Sequence, residues 1–159
     1  MANVIRRFFF GGPGAETRFG DFGLLLLRIG SGGLMAYAHG LSKVYSEGSI
    51  GIPGQLVDGV KKLGFPAPTA FAWTAALTEF LGGILLALGL MTRPVALALT
   101  FNMAVAAFMA HRTDPIDVKE KALLYLMMYQ VFIFTGAGRF SIDRFFRKSG
   151  NPRGFPVES

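Results

Sequence analysis

The chain has 159 residues, of which 52% are hydrophobic and only 16% are charged, and its mean hydropathy is +0.44. Soluble domains carry roughly 25% charged residues, so this composition excludes an ordinary soluble domain and predicts a membrane protein. Cysteine is absent, which excludes disulfides, thiolate metal sites and cysteine-based redox chemistry within these residues. The net charge of +6 is spread between apolar runs and over the chain ends, which favours lipid headgroups over nucleic acid as a partner.

The chain opens with a basic and aromatic stretch, residues 1–21, which we expect to lie as an arm at the membrane surface. The first predicted span, residues 22–41, carries Arg28 and His39, which are eleven residues or about three turns apart and therefore share one face. Arg28 either extends to the nearer headgroups or binds a partner inside the bundle. A seam for close helix contact is predicted by small residues at every fourth position, Gly32, Ala36 and Gly40.

The loop that follows, residues 42–66, contains apolar residues spaced for one face of a short helix. We predict a helix of about ten residues in the membrane interface rather than a further span. The second span, residues 68–90, has one charge near its middle, Glu79, followed by Gly82 and Gly83. A carboxylate at that depth costs several kcal/mol unless it is paired, protonated or facing a protected cavity.

The second half of the chain adds two predicted spans. Residues 94–110 have Asn102 as their strongly polar interior residue, and residues 119–137 end at a glycine-rich break. A basic tail, residues 144–159, is expected at the membrane surface. The predicted fold is therefore all-α, a four-helix membrane bundle over residues 22–143 with one short interfacial helix. Nine Lys and Arg residues lie on the side of the two chain ends and six on the other, which predicts cytoplasmic termini.

The two charges inside the first two spans are predicted to meet. With antiparallel spans, Arg28 lies about 9 Å and Glu79 about 16 Å from the cytoplasmic end of the bundle. The difference is within reach of an arginine side chain, so we predict a bidentate Arg28–Glu79 ion pair. Such a pair either only holds the helices together or takes part in function, and both interpretations stay open.

A second polar group is predicted at the outer end of the bundle, where all four spans contribute residues. Three interpretations compete: an interfacial belt of aromatic and basic side chains, a small-molecule pocket, and a metal site. The metal site is not adopted, because its ligands would come from different helices without a local spacing rule. Motifs for nucleotide binding and hydrolase chemistry are absent from the sequence. The members of this group are His39, Lys43, Trp73, His111, Glu120 and Lys121.

Short motifs follow one another in a definite order along the chain. They are LLLRIG (25–30), His39-Gly40 with Lys43, GFPAP (64–68), TEFLGGILLALGL (78–90), Thr92-Arg93, His111, EKALLY (120–125) and G-x-G-x-F-S-I-D (136–143). With this order and spacing the chain resembles the DoxX family, small four-helix integral membrane proteins of bacteria and archaea. The resemblance runs from about Leu24 to Asp143 and implies a four-span bundle in a cell membrane.

The resemblance also implies two hypotheses for function. The family is similar to the small subunit of a thiosulfate:quinone oxidoreductase, so the first hypothesis is a redox-linked subunit with a quinone pocket among its helices. It would act at most as part of a membrane oxidoreductase, with basic side chains binding the quinone and Glu79 relaying a proton. The second hypothesis is a non-catalytic structural, assembly or chaperone subunit of a larger complex or homo-oligomer. The candidate ligand-binding or buried polar residues are Arg28, His39, Lys43, Glu79, His111 and Glu120.

Overall fold

A computed structural model of the chain describes residues 18–46 and 48–144, which are mainly helical. The predicted surface arm up to residue 17 and the predicted tail beyond residue 144 lie outside the described residues. A short antiparallel pair of two-residue strands, β1 Tyr45–Ser46 and β2 Ser49–Ile50, follows the first helix. The main helices are α1 Arg18–Val44, α2 Gly54–Lys62, α3 Pro68–Leu88, α4 Thr92–Ala110 and α5 Ile116–Thr135.

Local sequence explains where these helices begin and end. Proline at position 68 starts α3, because its missing N–H is not needed in the first turn. Gly89 ends α3 in the left-handed region, with φ of 68°, where a residue without Cβ is favoured. α1 begins at Arg18, four residues before the predicted start of the first span at Phe22, and so includes Asp21. A charge within the helix is tolerated there because Asp21 accepts a hydrogen bond from the N–H of Arg139.

Two segments of the long helices are wound as π-helix, Met35–Gly40 in α1 and Ala106–Ala110 in α4. In each, a backbone N–H bonds to the carbonyl five residues earlier, as from His111 to Ala106 at 3.0 Å. π-Helical turns are rare and are frequent at functional sites. The first π-helical segment contains His39, and the second ends directly before His111, the other histidine of the chain.

Close packing of α1 against α3 depends on glycine. A Cβ atom at Gly32 would lie 2.6 Å from the backbone oxygen of Gly83, and one at Gly83 would lie 2.6 Å from that of Gly32. A Cβ atom at Gly40 would likewise clash with the backbone of Phe80. Gly82 faces the side chain of Leu99 on α4 instead, so the two adjacent glycines of α3 serve different neighbours.

Apolar side chains form the main core of the bundle, and many large apolar side chains are exposed on its outer faces. The buried core side chains are Met35, Leu86, Ala96, Leu99, Met103, Tyr129 and Phe132. Among the described residues, three helices are long and apolar enough to cross a membrane: α1, α3 and α4. α5 carries four charged residues in its first turns, Asp117, Lys119, Glu120 and Lys121. Lipid is the environment that accommodates apolar surface on this scale.

Candidate functional site

Arg28 lies at the end of the bundle where α1 begins, and only 1% of its surface is exposed. Its guanidinium donates hydrogen bonds to three backbone carbonyls, those of Ala87 (3.2 Å), Ala137 (2.6 Å) and Phe140 (2.6 Å). Ala87 is in the last turn of α3 and Ala137 follows the end of α5, where carbonyls lack helical partners. The arginine therefore joins three parts of the chain and places its charge at the negative ends of two helices.

The predicted Arg28–Glu79 ion pair is not formed, and that prediction is wrong. Gly40 of α1 lies against Glu79 and Phe80 of α3. Twelve residues separate Gly40 from Arg28, which corresponds to about 18 Å along the helix axis. No arginine side chain spans that distance. The depth argument failed because α1 extends beyond the predicted span at both ends and its register against α3 is shifted.

Asp143 caps α4 from a distant part of the chain. Its carboxylate accepts hydrogen bonds from the N–H groups of Met91 (2.7 Å) and Thr92 (2.9 Å), and its own N–H donates to the carbonyl of Gly89. Burial by itself would raise the pKa of Asp143. The hydrogen bonds from Thr92 and Met91, together with the charge of Arg28, instead hold this pKa below its ordinary value of 3.8.

Asp143→Asn removes the charge and one of the two acceptor oxygens, so it is expected to lower the stability of the folded protein at neutral pH by about 1 kcal/mol, the usual contribution of one hydrogen bond. A depressed pKa means that the ionised carboxylate stabilises the fold above pH 3.8 and loses this effect as the pH falls below that value. The difference in thermal midpoint between wild type and variant should therefore shrink below pH 3.8. Asp58→Asn, at an exposed position on α2, is the control and should show no such difference.

Glu79 is paired near the middle of α3, eight residues or about 12 Å along the helix axis from the Ala87 carbonyl that Arg28 binds. Its two carboxylate oxygens accept hydrogen bonds from Nζ of Lys43 at 2.7 and 2.6 Å, and Nδ2 of Asn102 donates to Oε1 at 3.0 Å. We call Lys43, Glu79 and Asn102 the polar cluster. The Glu79 side chain is 4% exposed, whereas that of Lys43 is 33% exposed. The cluster therefore reaches from the interior of the bundle to its surface.

Three aromatic rings lie beside the polar cluster. The His39 ring meets Tyr125 edge to face at 5.6 Å between centroids, and Tyr125 stacks on Tyr129 at 5.8 Å. We call His39, Tyr125 and Tyr129 the aromatic group. Tyr129 is fully buried, and its hydroxyl makes no hydrogen bond within residues 18–46 and 48–144. It is close enough to the Glu79 carboxylate to experience its charge. An unsatisfied hydroxyl in such a place is costly and requires an explanation.

The other predicted members of the outer group do not join this site. Nδ1 of His111 contacts the carboxylate of Asp114 at 2.7 Å in the loop after α4, where both side chains are 42% exposed. Glu120 and Lys121 are exposed on the first turns of α5, and Trp73 is half-buried on α3. Among the described residues, no group of three His, Asp or Glu side chains is placed to bind one metal ion.

Sequence reasoning missed four residues that the structure brings into these sites. Asp21 and Asp143 bind backbone N–H groups at the Arg28 end, and Tyr125 and Tyr129 form most of the aromatic group. The two tyrosines are four residues apart, so a helical-face argument would have placed them together. Asp143 closes a motif with two glycines, but nothing in its spacing indicates that its partner is the start of α4.

The described fold, with three helices able to cross a membrane and polar groups turned inward, defines an integral membrane protein built as a helical bundle. The model of one family, DoxX, matches residues 23–112, which is more than half of the chain. The chain belongs to the DoxX family. The matched range includes Arg28, Lys43 and Glu79. It ends before Tyr125, Tyr129 and Asp143. The predicted continuation of the family pattern to Asp143 lies beyond it and stays a prediction.

An uncharacterized protein of Haemophilus influenzae is 42% identical to the chain over 82 residues. The match involves 46% of this chain and 61% of that protein, so the chain covers less than two thirds of its relative. No solved structure matches the chain.

Proposed function

We propose that α5 is a fourth membrane span and that both chain ends are cytoplasmic. Past its charged first turns α5 is apolar, and it exposes large side chains such as Phe134, which is 80% exposed. Its charged turns lie at the outer end under this orientation, where headgroups and water solvate them. The short helix α2 has exposed lysines at one end and half-buried apolar residues, which supports the interfacial position predicted for it.

We further propose that the polar cluster and the aromatic group bind the headgroup of a quinone, and that the protein is a redox-linked subunit of a membrane complex. The observation that carries this proposal is the buried Tyr129 hydroxyl, which has no hydrogen-bond partner among the described residues, next to a partly buried ion pair. A buried ion pair is often no more stabilising than apolar residues of the same volume. Its presence beside an unused hydrogen-bond donor therefore favours binding over packing.

Each residue of the site has a definite task in this proposal. The Tyr129 hydroxyl donates a hydrogen bond to a quinone carbonyl, and the rings of Tyr125 and His39 line the path of the headgroup. Glu79 would pass the two protons taken up on quinone reduction, one at a time, from the half-open side of the cluster towards the headgroup, and Lys43 holds its carboxylate in place. Of the donors predicted from sequence, Arg28 and His111 are committed elsewhere. Quinone supplies two-electron redox chemistry, and an electron-donating partner subunit supplies the electrons.

Tyr129→Phe is the sharpest test, because it removes a hydroxyl that bonds to nothing in the described structure. We expect quinone to bind three- to tenfold more weakly, roughly the value of one hydrogen bond, while the thermal midpoint stays equal or rises. Titration of the detergent-purified chain with a short-chain quinone, followed by quenching of the single tryptophan, Trp73, measures the affinity. Tyr37→Phe, at an exposed position on α1, is the matched control and should bind as wild type.

Two results would contradict the quinone proposal. One is a folded wild-type chain that binds no quinone at any concentration tested. The other is equal affinity for wild type and Tyr129→Phe. Either result favours the alternative function, a structural, assembly or chaperone subunit, for which the polar cluster only fastens α1, α3 and α4 together. Under that alternative, Lys43→Met combined with Glu79→Leu would leave complex formation intact.

A further inference from the structure

A polar cleft of about 670 Å³ opens at the Arg28 end of the bundle, far from the polar cluster. It lies between the start of α1 and the segment that follows α5, and the loop 136–138 forms its floor. Three arginines and two aspartates line it: Arg93, Arg139, Arg144, Asp21 and Asp143. The cleft thus combines an excess of positive charge with buried carboxylate at one level of the bundle.

One of these carboxylates has an unused acceptor. Asp21 is only 7% exposed, and its Oδ1 accepts a hydrogen bond from the N–H of Arg139. Its Oδ2 lies 3.8 Å from Nε of Arg139, beyond hydrogen-bond distance, and accepts no hydrogen bond from any described residue. A buried carboxylate oxygen left in this state is costly. Asp21 lines the cleft, and a ligand there with an N–H or O–H donor would satisfy this covered oxygen once it displaces the atoms that shield it.

The arginines have donors to spare. Each guanidinium has five N–H groups. Arg93 donates one long hydrogen bond to the carbonyl of Phe134 (3.4 Å), and Arg144 donates one to that of Arg139 (3.4 Å). Arg139 itself is half exposed. The oxygens of Asp143 already accept hydrogen bonds from the start of α4, and its negative charge together with that of Asp21 leaves the three arginines of the cleft with a net positive charge. Forked guanidinium groups match the oxygens of a phosphate ester.

We propose that this cleft binds a phosphate ester carrying a primary ammonium group, with the phosphate on the arginines and the ammonium on Oδ2 of Asp21. The phosphate would accept hydrogen bonds from the unused arginine N–H groups, and the ammonium would donate a hydrogen bond to Oδ2 of Asp21. The bound molecule is a lipid of the phosphatidylethanolamine type, because the cleft lies at the level where apolar helices end and lipid headgroups are found.

The test compares three lipids with identical acyl chains by native mass spectrometry of the full, delipidated chain. Phosphatidylethanolamine offers N–H donors, phosphatidylcholine has the same charges without them, and phosphatidylglycerol is anionic. We expect phosphatidylethanolamine to bind about tenfold more tightly than phosphatidylcholine, which one charge-assisted hydrogen bond would provide. Asp21→Asn, which retains the acceptor for the Arg139 N–H, should abolish this preference. Arg139→Gln should weaken both zwitterionic lipids, and Asp58→Asn should change neither.

Other outcomes overturn the proposal. Equal binding of all three lipids, with no effect of Asp21→Asn, would mean that the cleft selects no headgroup or is covered by the chain itself. Tightest binding of phosphatidylglycerol would mean that the arginines recognise negative charge alone. Free phosphoethanolamine is the last arm of the experiment. If it competes with the lipid at equal concentration, the ligand is a soluble phosphate ester and the lipid assignment is wrong.

Discussion

Arg28→Met is expected to unfold most of the protein in detergent. The substitution leaves the buried carbonyl of Ala137 and the partly buried carbonyls of Ala87 and Phe140 without their donor. Each unsatisfied buried carbonyl costs about 1–3 kcal/mol, so the sum is comparable with the entire stability of a small domain. Arg28→Lys should recover only part of the loss, because one ammonium group cannot reach three carbonyls that a planar guanidinium contacts at once.

The measurement is thermal and denaturant unfolding in micelles, followed by circular dichroism. Arg112→Met is the control, because Arg112 is exposed and its side chain makes no hydrogen bond among the described residues. It should unfold within about 0.5 kcal/mol of wild type, as exposed substitutions usually do. A stable, cooperatively unfolding Arg28→Met protein would show that the three carbonyls find other donors, and the assigned role of Arg28 would be wrong.

Gly32→Ala is expected to destabilise the bundle by about 3 kcal/mol, near the upper end of what overpacking costs. The added Cβ would lie 2.6 Å from the oxygen of Gly83 and 2.8 Å from the nitrogen of Ala87. Both are backbone atoms, so α1 and α3 must separate rather than a side chain move aside. Separation would also lengthen the hydrogen bond from Arg28 to Ala87, and the quinone affinity proposed above should fall with it.

The neighbouring glycine provides a matched control. A Cβ at Gly33 meets no atom within 4 Å, and the residue is helical, so Gly33→Ala should be neutral or stabilising by up to about 1 kcal/mol. Unfolding of the two single variants under the same conditions separates the steric effect from helix propensity. Equal stability of Gly32→Ala and Gly33→Ala would contradict the contact between α1 and α3 described above.

The sequence by itself determined which segments are apolar helices, because hydropathy and helix-ending glycines are properties of consecutive residues. It also showed that Glu79 needs a partner, since an isolated carboxylate in an apolar run is too costly to leave unpaired. The small residues of α1 and α3 could also be predicted to pack closely, because their spacing along the helices is visible in the sequence. Aligning Gly32 with Gly83 places Glu79 opposite Ala36, seven residues from Lys43 and eight from Arg28, so this contact alone does not choose between the two partners.

Only the tertiary structure decided which charges meet. The partner of Glu79 depends on the axial register of α1 against α3, and a shift of a few residues replaces Arg28 by Lys43. The role of Asp143 is more remote still, because it caps α4 from a residue 51 positions further along the chain than Thr92. Arg28 binds carbonyls that follow the end of α5. Such contacts join segments that are distant in the chain, and no local spacing rule in the sequence predicts which segments will meet.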